Sequence, residues 1–235
     1  MADRYTLSYT AAGLRRAETA LLASAYLELG SWEAVRAAAV ENDLLMIRQP
    51  ASRARVTGEL IKRLKNLTPA ELRAVAGNAT GAQPVAGNAA AAGAQPGNAT
   101  GAGAQPVAGN AAAPGAQPPT DAPTADALIW VGICRTYAFV AEFTVEVAAQ
   151  RWREGVRTLA PGAYEAFFDE RAATHPELAG LSAQTAARLR SQLFTMYRAM
   201  GFLSAEGALV PYLLPKPARA LVCPEDRAFF PTLVG

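Results

Sequence analysis

The sequence has almost nothing from which a metal site or a nucleophilic triad could be assembled. It holds one histidine, His175, followed at once by Pro176, and two cysteines, Cys134 and Cys223, with no CxxC spacing and no histidine near either. That is neither a zinc pattern nor a disulfide framework, and two unpaired thiols suit a reducing, cytoplasmic compartment. No serine elbow or carboxylate cluster stands at a recognisable distance from His175, which is therefore expected to be structural or at the surface. Phosphate-cradling motifs (GxxxxGKS/T, GxGxxG) and the zinc motif HExxH are missing too. Acid pairs such as Glu142/Glu146 are expected to be solvated or ion-paired rather than metal ligands. These absences predict a binding protein without catalytic residues, metal or cofactor.

Long apolar runs are also scarce. The longest, residues 127–134, is followed by Arg135, Glu142 and Glu146, whereas a membrane span needs ~20 apolar residues. The opening Met-Ala-Asp-Arg-Tyr lacks the apolar core of a signal peptide. An excess of charge is missing from the whole, with a net charge of only +2. It is present locally, between residues 48 and 65, where Arg48, Arg53, Arg55, Lys62, Arg63 and Lys65 face a single acid, Glu59. Such a stretch suits either a phosphate backbone or a solvated helix face.

What the sequence has in quantity is alanine, with leucine at helical spacing and few β-branched runs, which favours helix because these residues lose least on entering one. Residues 77–125 are the exception. They are nearly all Gly, Ala, Asn, Gln, Pro and Thr, with Gly-Ala-Gln-Pro recurring from Gly81, Gly93, Gly103 and Gly115. With no hydrophobic face to offset the entropy of ordering, this stretch reads as a disordered tether. It divides the chain into an N-terminal helical domain, 1–76, and a C-terminal helical, winged-helix-like domain, 126–235.

In the first part, helices are expected over 10–29 with Gly30 as stop, from Ser31 to about Asn42, after Pro50 with Ser52 as cap, and from the capping box Thr68-Pro69-Ala70-Glu71. In the second, one long helix is expected over 126–157, with Arg135, Glu142, Glu146, Gln150, Arg153 and Arg157 as a single polar stripe. A helix over 161–174 and one capped by Ser182 follow, the latter with Ala186, Leu189, Leu193, Met196 and Met200 inward. Residues 208–214 could form a short strand or hairpin arm. The Ser182 helix has the pattern of the second helix of a winged helix-turn-helix. Gln184, Thr185, Arg188 and Gln192 lie on its outer face, and Arg190 follows.

The chain resembles the BrxA family (DUF1819) of bacteriophage exclusion (BREX) systems. At the front the resemblance rests on Leu7-Ser8-Tyr9-Thr10, Gly13-Leu14, the run from Tyr26 to Trp32, Asn42-Asp43-Leu44-Leu45, Ser52-Arg53-Ala54-Arg55 and the run from Glu59 to Leu64. Behind the tether it rests on the run from Cys134 to Phe143, Tyr164-Glu165-Ala166-Phe167-Phe168, His175-Pro176-Glu177-Leu178, and Ser182 to Gly201. The resemblance implies a mainly helical protein with helix-turn-helix-like parts, likened also to the antitermination factor NusB. It implies duplex DNA as ligand, and a methyltransferase, an ATPase and a phosphatase-like protein as fellow subunits. The expected DNA contacts are Arg48, Arg53, Arg55, Lys62 and Arg63 in front, and Gln184, Thr185, Arg188 and Arg190 behind. A protein scaffold using the same basic face is the alternative, and RNA binding is a third.

Overall fold

The computed structural model describes residues 4–77 and 121–235. The tether expected over 77–125 lies almost wholly outside them. Its last residues do not, because a helix already begins at Ala122. Helix α1 spans Arg16–Leu29, α2 Trp32–Glu41, α3 Pro50–Leu64 and α4 Pro69–Ala76. The caps read from sequence hold at Gly30, Ser31 and the Thr68/Glu71 box. The first helix starts later than its periodicity suggests. Ser8–Ala11 form a single 3-10 turn, and Gly13 and Arg15 then take left-handed backbone that no helix can include. Ser52 does not cap α3. Pro50 occupies the first helical position, where its fixed φ and missing N–H cost nothing.

Helix α5, Ala122–Thr136, is buried from Thr124 to Cys134 on nearly every side, as a helix apolar all round must be. It packs on α1, α3 and α4 in front, and on α10 (Ala183–Met200), α11 (Lys216–Leu221) and the short 3-10 helix Glu225–Phe229 behind. Gly132 permits the closest crossing, since a Cβ there would meet the Arg63 carbonyl at 3.2 Å and Leu67 Cδ2 at 3.3 Å. One buried apolar cluster therefore includes residues from both sides of the undescribed stretch, from Tyr5 and Leu22 through Trp130 to Phe202 and Phe230.

The long helix expected over 126–157 is broken. α5 ends at Thr136, Tyr137 is extended, and the helical run continuing through α6 (Ala138–Glu142), a π-helical turn (Phe143–Ala148) and α7 (Ala149–Arg153) is turned by 114°. The cause is tertiary. The buried Tyr137 hydroxyl donates to Glu59 at 2.7 Å and accepts from Arg63 Nε at 3.2 Å, and the Arg63 guanidinium lies 5.2 Å from its ring centroid. The expected polar stripe is split by the bend. Arg135 reaches Glu71 and Asp226, whereas Glu142 and Glu146 pair with Arg171. Among the described residues no single helix is long and apolar enough to cross a membrane.

Behind the bend, α8 (Pro161–Ala172) buries Tyr164 and Phe167, and α9 (Pro176–Ala179) leads to α10 (Ala183–Met200). The inner face of α10 is Leu189, Leu193, Met196 and Met200 as expected, with Phe194 and Tyr197 added and Ala186 only half-buried. The expected strand over 208–214 is reduced to isolated antiparallel rungs, Thr158↔Ala208 and Leu203↔Leu209, and a parallel one, Tyr212↔Leu233. The antiparallel rungs bring residues 157–159, 202–204 and 208–210 side by side, with Leu209 N donating to Arg157 O at 2.8 Å and Val210 N to Phe202 O at 3.0 Å.

Candidate nucleic-acid interface

The basic stretch at 48–65 does not form one surface, because α3 turns its cations in different directions. Arg63 is only 2% exposed. Its guanidinium donates to the backbone oxygens of Gly13 and Tyr9 and to the Tyr137 hydroxyl, so it cannot reach a phosphate while it holds them. As a DNA contact Arg63 is therefore corrected. A buried cation is tolerated only with its donors satisfied, and these acceptors come from the strap ahead of α1 and from the break after α5.

Arg53 is largely committed as well. It donates to Ile47 O at 3.0 Å and Val40 O at 2.8 Å and pairs with Asp43 at 2.8 Å, clamping the loop between α2 and α3. Lys62 pairs with Glu59 at 3.0 Å and bonds Ser8 Oγ at 3.3 Å, leaving its ammonium partly exposed. Burial alone would raise the Glu59 carboxyl, but hydrogen bonds from Tyr137, Ser8 and Lys62 outweigh it and hold the group below the usual carboxylate range. Arg48 and Arg55 are exposed and, among the described residues, have no partner. Of the front candidates, these two present a free guanidinium to solvent.

Helix α10 gives a more coherent face. Gln184, Arg188, Ser191, Thr195 and Arg198 recur at helical spacing, and all are exposed. No acid lies anywhere in α10. Ser182 caps the helix by accepting from Thr185 N at 3.2 Å, and its hydroxyl also meets Thr185 Oγ1 at 2.9 Å, so the Thr185 side chain is partly engaged. Arg190 lies on another flank, paired with Glu165 of α8. A groove of about 320 Å³ between α8 and α10 is lined by Glu165 and Asp169 with Arg190, a charge balance unsuited to a phosphate. Gln192 is half-buried beside Gly13.

Two features were not read from the sequence, the exposed Arg198 and the pair Arg15–Arg16, of which Arg15 is paired with Glu18 at 2.6 Å. Arg198 continues the Arg188 face and could have been found by extending the helical spacing. Arg16 donates to Ala199 O and to Asp126, each at 2.5 Å, which lays the start of α1 against the end of α10. No signal in the sequence brings residues so far apart together.

His175 is buried, stacked on Tyr5 at 4.0 Å between ring centroids, with Nδ1 3.2 Å from Glu177. Glu177 also accepts from Tyr5 N at 2.7 Å, and the Tyr5 hydroxyl donates to Glu142 at 2.5 Å. The histidine thus helps fasten the N-terminal strap to α6 and α9.

A family model described as BrxA matches residues 3–86 and 119–223. Among solved structures, an uncharacterized protein from Magnetospirillum magneticum superposes with a TM-score of 0.67 over 98% of this chain and 98% of that one. Identity between the two is 13%, so the likeness is one of fold. No curated protein matches.

Proposed function

The chain belongs to the BrxA family, whose place is in BREX phage defence, and on that premise we propose that it is a non-catalytic subunit that grips duplex DNA with α10. The observation that carries this reading is the exposed, acid-free face of Gln184, Arg188, Ser191, Thr195 and Arg198. Its setting supports it. The order α6–α7, residues 157–159, α8, α9, α10, residues 202–204, turn, residues 208–210 is compatible with a winged helix-turn-helix, in which the second helix of the pair enters the major groove. The turn at 204–207 carries Glu206 and no cation, so the wing contributes little to holding phosphates. In this reading the grip comes instead from Arg188 and Arg198, with Arg48 and Arg55 of the front half.

Fellow subunits of the defence system, a methyltransferase, an ATPase and a phosphatase-like protein, are the proposed protein partners. Exposed Leu213, with Val210 and Val234, favours an additional role as a scaffold. RNA is a weaker candidate. Base stacking needs exposed rings, and here Trp130, Tyr137 and Phe202 are buried while Trp152 is covered by Arg157 at 3.8 Å.

The test is fluorescence anisotropy of a labelled duplex of about 30 base pairs, titrated at low and moderate salt. Binding is expected to weaken with salt by about 0.9 log unit per log unit of salt for each phosphate contacted. Arg188→Glu with Arg198→Glu is expected to weaken it at least tenfold (~10) and to flatten that slope. Absence of duplex binding at low salt would overturn the proposal and leave the scaffold role.

A further inference from the structure

The loop between α2 and α3 contains four apolar residues in a row, Leu44-Leu45-Met46-Ile47. Leu45 is buried, and Leu44 and Ile47 pack against the core. Met46 alone is turned outward, at 88% exposure the most exposed of the large apolar side chains among the described residues. It is turned out by its backbone, since Met46 has φ 52° and Asp43 φ 50°, the left-handed region that side-chain-bearing residues rarely adopt. The loop does not drift into this shape. Asp43 Oδ1 accepts from Ile47 N at 2.8 Å, Met46 N donates to Asp43 O at 2.8 Å, and Arg53 holds Ile47 O, Val40 O and the Asp43 carboxylate. The exposed groups that follow are Arg48, Gln49 and, one turn into α3, Arg55.

We infer that Met46 is a wedge that enters between base pairs from the minor groove, with Arg48 and Arg55 on the flanking phosphates, a role that rests on the duplex binding proposed above. One apolar side chain cannot make a protein-docking patch, which needs a contiguous apolar area of several hundred square ångströms, on the order of 300–600 Å². It is enough to unstack one base step, for which Met is among the residue types used, and the exposed, partner-free Arg48 two residues on, with Arg55 in α3, supplies the charge complementarity. Rigidity matters because a wedge must hold its shape against stacked bases, and the clamps of Arg53 and Asp43 give it. Two acids stand near the loop, Glu41, exposed at the end of α2, and Asp43, whose carboxylate is engaged by Arg53 and the Ile47 N–H.

The experiment relaxes a closed circular plasmid with a topoisomerase in the presence of the full chain, because intercalation unwinds DNA and changes the linking number at any sequence. Wild type and Met46→Leu are expected to shift the linking number. Met46→Ala should lose the shift and bind a linear duplex about fivefold more weakly, a loss of order 1 kcal/mol as a tenfold change is 1.4. Met46→Gly removes the backbone strain, so it should raise Tm by about 2–4 °C and still lose the shift, which separates loss of function from misfolding. Wild type that binds duplex without changing the linking number, with Met46→Ala binding equally well, overturns the wedge and leaves DNA binding intact. Absence of wild-type duplex binding overturns both. If Met46→Ala keeps the DNA behaviour but loses capture of a purified fellow subunit, Met46 is a protein contact and the wedge is wrong.

Discussion

Arg63 and Arg135 are cations spent inside the protein. Arg135 spans Glu71 at 2.8 Å and Asp226 at 2.6 Å, and the Glu71 side chain is only 1% exposed. Burial would make the guanidinium less basic, but its bonds to Asp226 and Glu71 reverse that and raise it. Removing one partner of a buried ion pair strands the other, so Arg135→Met is expected to cost about 3–5 kcal/mol in urea unfolding. Arg48→Ala, at an exposed and unpaired site, should stay within about 0.5 kcal/mol. Glu59 and Tyr137 each make stability depend on pH. The Glu59 carboxyl is lowered in the folded state, so its stabilisation is complete above its ordinary value of 4.5 and is lost as pH falls through the folded value. Burial pushes the Tyr137 phenol from 10.0 up to about 12, so its contribution is complete below 10.0 and is lost as pH rises toward 12. Tm measured against pH should fall at both ends, and Glu59→Gln should flatten both limbs, the acid one because its own carboxyl is gone and the alkaline one because Glu59 helps to raise the Tyr137 phenol.

At the scale of elements, the break at Tyr137 decides the architecture. A straight helix over 126–157 would carry α6 and α7 away from the core, whereas a 114° turn lets α5 stay central and brings Phe139 and Phe143 against Tyr164 and Phe167 of α8. Helical periodicity continues through the break, so the sequence gives no stop there. The reason lies in the partners Glu59 and Arg63, which belong to another helix. The crossing of α3 and α5 at Gly132 is as specific. Glycine to alanine inside a helix ordinarily stabilises by about 0.8–1 kcal/mol. Here the added Cβ meets the Arg63 carbonyl at 3.2 Å, so Gly132→Ala is expected to destabilise instead, by about 1–3 kcal/mol. Thermal unfolding of that variant checks the sign.

Over the whole molecule, α5 is the common wall of the front and back helices. Trp130 sits at its centre, fully buried, in edge contact with Tyr197 and Phe202, its Nε1 donating to Phe229 O at 2.6 Å. Trp130→Ala should cost about 3–5 kcal/mol. Because one apolar cluster serves both ends, unfolding should be a single transition. Trp32 in α2 and Trp152 in α7 report on opposite ends, and single-tryptophan variants should give coincident denaturation midpoints. Two separated midpoints would mean that the front and back helices hold their cores independently.

The sequence by itself determined the helical class, the caps at Gly30, Ser31, Thr68 and Ser182, the inward side of α10 and the resemblance to BrxA, because these depend on local chemistry and helical spacing. Tertiary structure alone decided which arginines face water. Arg48, Arg53, Arg55 and Arg63 look alike in a sequence, yet Arg63 lies under Gly13 and Tyr9, Arg53 is locked to Asp43, and Arg48 and Arg55 are free. An arginine's role depends on which carbonyls and carboxylates reach it, and those come from segments far along the chain. The meeting of Arg16 with the end of α10 and the outward turn of Met46 were settled the same way, by packing and backbone conformation that hydrophobic spacing does not encode.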